Sequence, residues 1–513
     1  MTPPRFRLWT KGRRPPWRTW RIWPWLLWAV YAPPLALLLL HARATVRHHW
    51  EVVTFPYQID YGEAPELNRA LLLARGAPIY VDWSHPPYQM ANYTPLYPAA
   101  VSLAVRLTGP SFLPGRALSF AATLASAVAV ALLVWALGAP GPGVAAGGLL
   151  WLASHPVWDW GAFQRVDALA TLLELLGLTC VAVAWARRRR VWGVWLSVPL
   201  FVAAAYTRQT AVAGAFAAYG YLLFLRPRLA LRATALYASL GLGLLALLML
   251  VTSGQFWRHT VDGNLNRWSV DTLLLYVRPF WQLQRWPVVL GVIGLLFALL
   301  QRRAQLPALY ALGAAATALT AGKIGAYVNY LLPAGAAVAL GAGLAVASIS
   351  RAAARWWPAA ALHAAASFAL TVGAWQLGAA AGVWPGTSLR APYLSHVSQA
   401  QRRSAGLAHE HVARIPGDVL SEDMSFTVTT GRRLYLQPFE FTQLAEQGDW
   451  DQRPLLDDVR SMRFGVVVLR FDLSGDPSWH GERLNRPLLD AIREAYVPAA
   501  VYGDYFLYVP RPS

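Results

Sequence analysis

The chain has 513 residues, 56% of them hydrophobic and 14% charged, with 25 Trp and a net charge of +19, a balance outside that of soluble globular domains and typical of a membrane protein. Before residue 383 there are 31 Lys/Arg and 10 Asp/Glu, against 14 Arg and 16 Asp/Glu after it, so the excess cations lie where the chain meets a bilayer, and no nucleic-acid motif accompanies them. The single Cys180 excludes internal disulfides and Cys-based metal clusters, and the lack of a Gly-rich loop ending in Gly-Lys-Ser/Thr argues against an ATP-driven pump.

Residues 1–22 are polar and carry Arg5, Arg7, Lys11, Arg13, Arg14, Arg18 and Arg21, which places this end in the cytoplasm. The apolar run 23–40 is long enough to span ~30 Å of hydrocarbon. A cleaved signal peptide ending at Ala42-Arg43-Ala44 is the competing reading; the Pro33-Pro34 pair and the long basic head favour a span. A polar loop, 43–94, follows, and then three apolar stretches, 95–108, 116–137 and 143–153.

Further apolar segments cover 166–186, 191–206, 210–225, 234–252, 286–300, 307–321, 327–347 and 357–381. Arg187 to Arg190, Arg226 with Arg228 and Arg232, Arg302 with Arg303, and Arg351 with Arg355 form basic connectors without a carboxylate, and read as cytoplasmic. The connectors between them, including a loop over 253–285, then face outward together with the tail 383–513. Parity requires one of the three early stretches not to cross, and 95–108 is the shortest, so the twelve apolar segments give about eleven crossings. The tail carries strand patterns at 417–420, 464–471 and 500–509 with helical ones between, a small extracytoplasmic α/β domain. The expected architecture is an all-α polytopic membrane module over 23–382 joined to that domain.

Ten carboxylates precede residue 383, and on this topology only Glu174 falls inside an apolar segment. Glu51, Asp60, Glu63, Glu66 and Asp82 gather in the first outer loop. Pro65 to Gly76 predicts a short interfacial helix, with Leu67, Leu71 and Ala74 on one face. Such a helix would fix Asp60 and Glu63 at the membrane surface; a helix cap is the alternative role for Asp60.

Several separate stretches resemble the GT-C class of membrane glycosyltransferases, especially the protein O-mannosyltransferase and lipid A aminoarabinose transferase group. They are Asp60-Tyr61-Gly62-Glu63, the helix ending in Arg75-Gly76, Tyr93-Thr94-Pro95, Leu113-Pro114-Gly115-Arg116, Arg165-Val166-Asp167, Tyr206-Thr207-Arg208-Gln209, Gly322-Lys323 and Asn329-Tyr330-Leu331-Leu332-Pro333. Here Tyr61 and Gly62 separate Asp60 from Glu63 where many relatives place the acids side by side, and Arg208 stands where Lys is common.

The resemblance implies a GT-C-like bundle and inverting transfer of a sugar from a polyprenyl-phosphate-linked donor to an extracytoplasmic acceptor, which is a protein, a lipid or a glycan. Compartment chemistry points the same way: nucleotide sugars are cytoplasmic, so a donor used by outward acids arrives on a lipid carrier. Displacement needs a base for the acceptor proton and cations for the departing phosphate. Asp60, with Glu63, is the candidate catalytic acid pair, and Arg165, Arg208 and Lys323 are the candidate phosphate partners. Asp167, His259, Asn329 and Tyr330 are candidate substrate contacts; Lys323 could equally anchor a span end, as Lys11 is the only other lysine. A divalent cation on Asp60 and Glu63 is left open, since no His or Cys set assists them. The alternative function is a transporter or flippase of a lipid-linked solute, for which charges near the bilayer midplane and related halves would be expected.

Overall fold

The computed structural model describes residues 23–138, 141–187, 190–300, 305–353, 359–387, 397–475 and 482–512. The basic residues before Trp23, and Arg188, Arg189, Arg302, Arg303 and Arg355, lie outside the described residues.

The chain is a helical bundle followed by a small mixed domain. Its helices are α1 Trp23–Val53, α2 Glu63–Ala74, α3 Leu96–Thr108, α4 Leu113–Leu137, α5 Pro142–Ala153, α6 His155–Trp160, α7 Val166–Val181, α8 Trp192–Thr207, α9 Ala213–Leu225, α10 Pro227–Val251, α11 Gln255–Thr260, α12 Val270–Leu300, α13 Gln305–Leu319, α14 Leu332–Ala353 and α15 Ala359–Ala380. Among the described residues six helical segments are long and apolar enough to cross a bilayer, and α3, α5, α8 and α9 are shorter apolar helices. This is a multi-pass membrane protein. At 1.5 Å per residue, the 13 residues of α3 extend about 20 Å, short of a full crossing.

Helix bounds depart from the hydropathy pattern in three places for identifiable reasons. α1 runs on to Val53, so the start of the expected outer loop 43–94, with Glu51, is helical, because Arg47 and Glu51 break the apolar run without disfavouring helix. α11 covers Gln255–Thr260 and α12 begins at Val270, so most of the stretch 253–285 expected as a loop is helical. Pro279, Arg285 and Pro287 interrupt its apolar pattern but cause only a break at Gln284, whose φ of −139° leaves the helical range. α10 starts at Pro227 and absorbs Arg228 and Arg232, because Pro suits a first helical turn and Arg is a good helix former.

The C-terminal domain begins with α16 Gln399–Arg414 and continues through β1 Asp418–Ser421, α17 Ser425–Val428, α18 Pro438–Gln447, α19 Arg453–Arg460, β2 Phe464–Leu469, α20 Arg486–Ala495, β3 Tyr496–Tyr502 and β4 Tyr505–Pro510. The sheet order is β1-β2-β4-β3, with β1 parallel to β2 and the other pairs antiparallel. The aromatic run 500–509 is not one strand but two arms of a hairpin, reversed at Gly503, whose φ of +58° favours a residue without Cβ. Val467, Leu469, Phe464 and Tyr508 pack under α18, α19 and α20 as one apolar core.

This domain is stitched to the loop between α2 and α3. Tyr88 pairs with Leu436 in a parallel bridge, Tyr88 N–H donates to Tyr435 O at 2.7 Å, and Gln437 N–H donates to Tyr88 O at 3.0 Å. Tyr88 also sits among Tyr435, Phe441 and Trp450. The start of α18 is thereby carried to the end of the bundle that holds Asp60.

Candidate active site

The segment joining α1 to α2 is held from below by one arginine. Arg116, in the first turn of α4, is fully buried and donates to the carbonyls of Val52 at 3.1 Å and Tyr57 at 2.8 Å, and to both carboxylate oxygens of Glu63 at 2.7 and 2.6 Å. Glu63 also accepts the backbone N–H groups of Ile59, Asp60 and Gln164 at 2.9, 3.1 and 2.9 Å. Burial opposes ionisation of Glu63, but the Arg116 charge and these donors outweigh it and hold the carboxyl below its usual range. Glu63 therefore does not sit beside Asp60 as a second surface acid; it lies beneath and fixes the backbone that carries Asp60.

Asp60 itself lines a polar cleft. Its Oδ2 accepts from Gly62 N–H at 2.9 Å, a local turn rather than a cap on the helix interior. Arg165, the residue preceding α7, approaches the same oxygen at 3.4 Å and donates to Tyr93 Oη at 3.1 Å. A Cβ at position 62 would lie 1.1 Å from Arg165 Nη1, so the glycine leaves the guanidinium room to reach Asp60. Burial pushes the Asp60 carboxyl above the usual carboxylate range, Arg165 pulls it back, and Glu63 adds to the rise.

On another wall, Lys323 follows α13 in a turn paired to the loop after α11. Ile324 N–H donates to Arg267 O at 2.9 Å and Ser269 N–H to Gly322 O at 2.8 Å, while Trp268 Nε1 ties to Leu319 O at 2.9 Å. Lys323 Nζ donates to Asn264 Oδ1 at 2.6 Å. Burial, then the charge of Arg208, lowers its pKa to about 8.

Of the residues singled out from the sequence, Asp60, Arg165, Lys323 and Tyr330 line the cleft. Asp167 and Arg208 stand behind it. Asp167 accepts from Arg208 Nη1 at 2.7 Å, Asn329 Nδ2 at 3.0 Å and Trp160 Nε1 at 2.9 Å, so it positions Arg208 and not its near neighbour Arg165. Arg208 is buried, with its guanidinium carbon 4.2 Å from the Tyr330 ring centre, which places Tyr330 between it and the cleft. Neither Arg208 nor Asn329 reaches the cleft lining as a direct ligand.

His259 is also a structural residue. Its Nδ1 accepts from Ala91 N–H at 2.8 Å, so Nε2 carries the proton and donates to Val81 O at 2.6 Å. Burial lowers its pKa to about 4, which keeps it neutral. It clamps the loop after α2 to α11 and does not line the cleft.

Tyr61, Arg69, Phe439, Glu440 and Arg483 line the cleft without having been singled out. Arg69 forms a buried ion pair with Glu66 and donates to Asn92 Oδ1 at 3.0 Å. Its position in an amphipathic helix gave no sign of this. Among the described residues no group of three His, Cys, Asp or Glu is placed to hold a metal ion. With both Glu63 oxygens committed to Arg116, Asp60 and Glu63 do not fit as a cation-holding pair.

No protein-family model matches the chain, and the curated proteins give no match. Solved structures do. ArnT from Cupriavidus metallidurans bound to undecaprenyl phosphate superposes with a TM-score of 0.59 at 14% identity, over 92% of this chain and 98% of that one. AglB from Archaeoglobus fulgidus, in complex with an inhibitory peptide and a dolichol-phosphate, gives a TM-score of 0.52 at 11% identity, over 94% and 75%. A second Archaeoglobus fulgidus oligosaccharyltransferase structure, with Zn and sulfate, gives 0.51 at 12% identity, over 92% and 73%. The likeness to GT-C enzymes noted in scattered motifs thus extends to the fold of most of the chain.

Proposed function

We propose that the protein is a GT-C-type glycosyltransferase that moves a sugar from a polyprenyl-phosphate-linked donor to an acceptor outside the cytoplasm, with inversion and with Asp60 as base. The observation that carries this reading is the cleft itself. It places a backbone-locked carboxylate against a wall of Arg165, Arg69 and Lys323 at one end of a membrane bundle.

In this mechanism the donor phosphate lies against Lys323 and Arg165. The acceptor oxygen attacks the anomeric carbon, its proton passes to Asp60, and the bond to the phosphate oxygen breaks on the opposite face. Lys323 and Arg165 neutralise the charge that develops on the departing phosphate. Arg165 beside Asp60 also keeps the base ionised against its burial. Glu63 and Arg116 hold the backbone of the base, and Arg208 supports Tyr330 from behind.

A lipid-linked donor suits the surroundings of the cleft. An apolar groove of about 420 Å3 runs beside α8, α10 and α11, lined by Tyr206, Gly241, Leu242, Leu245 and Phe256. Gln209 lines this groove and donates to the carbonyl of Asn92, which lines the cleft, at 2.9 Å. The groove could seat a polyprenyl chain while its phosphate enters the cleft. The bound undecaprenyl phosphate and dolichol-phosphate of the structural neighbours support the same donor class. Among the described residues, Arg226, Arg228 and Arg232 where α9 meets α10 support a cytoplasmic side there, and with it an outward cleft.

The test is release of labelled sugar from polyprenyl-phosphate-linked donors by the purified protein and its Asp60→Asn variant, with and without chelator. Asp60-dependent release supports the reading, and chelator-insensitive release fits a site without a metal. Equal release by wild type and variant would remove Asp60 as base.

A further inference from the structure

The C-terminal domain supplies one wall of the cleft. Phe439, at the start of α18, donates its N–H to Tyr61 Oη at 2.8 Å, and its ring lies against Gly325, where a Cβ would come within 2.5 Å of it. α18 is thus wedged between the Asp60 segment and the Lys323 turn. Arg483 lies over the Tyr61 ring at 4.5 Å and is itself paired to Glu422 at 3.0 Å. The next residue of α18, Glu440, lines the same cleft, is 8% exposed, and has no hydrogen-bond partner at Oε2. A buried acceptor without a partner is costly unless a ligand completes it.

We propose that Glu440 is a specificity-determining residue whose free Oε2 accepts a hydrogen bond from a hydroxyl of the glycosyl group being transferred. This rests on the glycosyltransferase reading and extends it to the sugar. The sugar ring is bonded directly to the phosphate held by Lys323 and Arg165, so it occupies this cleft and meets the wall formed by Phe439 and Glu440. A phosphate is repelled by the carboxylate. Burial pushes the Glu440 carboxyl above its usual range and the charges of Arg69, Arg165 and Arg483 pull it back, so these three cations disfavour a further cationic amino group there. A neutral hydroxyl satisfies Oε2 without adding charge, and the Phe439 face offers an apolar surface for the ring.

The experiment compares kcat/KM for a polyprenyl-phosphate sugar and its singly deoxygenated analogues, using the wild-type full chain and Glu440→Leu. The wild type should lose about 10- to 100-fold on one deoxy donor, the scale of a hydrogen bond to a charged group. Glu440→Leu, which removes the acceptor, should lose a similar factor on the intact donor and no longer distinguish that deoxy analogue. Wild-type indifference to every deoxy donor overturns the proposal without requiring the variant to fold. Retained discrimination in Glu440→Leu, or a change confined to the acceptor KM, also overturns it, while turnover of the intact donor by wild type leaves the underlying reading standing. No turnover of any donor by wild type overturns both.

Discussion

Arg116 and Glu63 form a bidentate ion pair in which neither side chain is exposed to solvent, and the same two residues bind six backbone groups, those of Val52, Phe55, Tyr57, Ile59, Asp60 and Gln164. Removing one partner strands the other charge. Arg116→Met should destabilise the protein by about 3–5 kcal/mol in detergent melting. Adding Glu63→Met should recover part of the loss, and strictly additive effects would show that the pair is uncoupled. The depressed carboxyl of Glu63 stabilises the fold above the usual carboxylate range, and that contribution is lost as pH falls through its folded pKa.

Asp60 has the opposite sign. Its folded pKa is raised by burial, so its charged form costs stability at neutral pH, and Asp60→Asn should melt at or above the wild-type temperature. On the proposed mechanism the same substitution removes the proton acceptor and should lower transfer about 10²- to 10⁴-fold. Because the base acts when ionised, kcat/KM should rise with pH through an acid limb above the ordinary Asp range. A variant that loses stability and activity together would make Asp60 structural.

Lys323 should impose the alkaline limb. With a pKa lowered to about 8 in the free protein, it loses its charge as pH rises through that value, and donor KM should rise with it. Lys323→Arg keeps the charge at all these pH values and should abolish the limb, although the bulkier planar group will bind the donor less well. An unchanged alkaline limb in Lys323→Arg would assign it to another group.

What the sequence disclosed follows from range of interaction. Spans, and the polar residues beside their ends, are local signals, so Asp60, Arg165, Lys323 and Tyr330 were legible before the structure. The role of Arg116 depends on its meeting Glu63 across 53 residues, and Glu440 enters through the Tyr88 to Leu436 pairing across more than 300. His259 is the reverse case: a polar residue in a suitable loop whose two ring nitrogens are spent on Ala91 and Val81. A residue type marks potential chemistry, but only the partners it finds decide between binding and support.

Arg208 separates those two roles by measurement. Its guanidinium is bound to Asp167 at 2.7 Å, behind Tyr330, so Arg208→Leu leaves Asp167 buried with only the neutral donors Trp160 and Asn329. That should cost about 3–5 kcal/mol of stability. Any fall in activity should then appear in kcat as Tyr330 shifts, more than in donor KM, since the proposed mechanism assigns the phosphate to Lys323 and Arg165. If Arg208→Leu instead melts like wild type and raises donor KM about tenfold or more, a lost phosphate contact of roughly 1.4 kcal/mol, the side chain swings past Tyr330 when donor binds and Arg208 returns to the list of direct ligands.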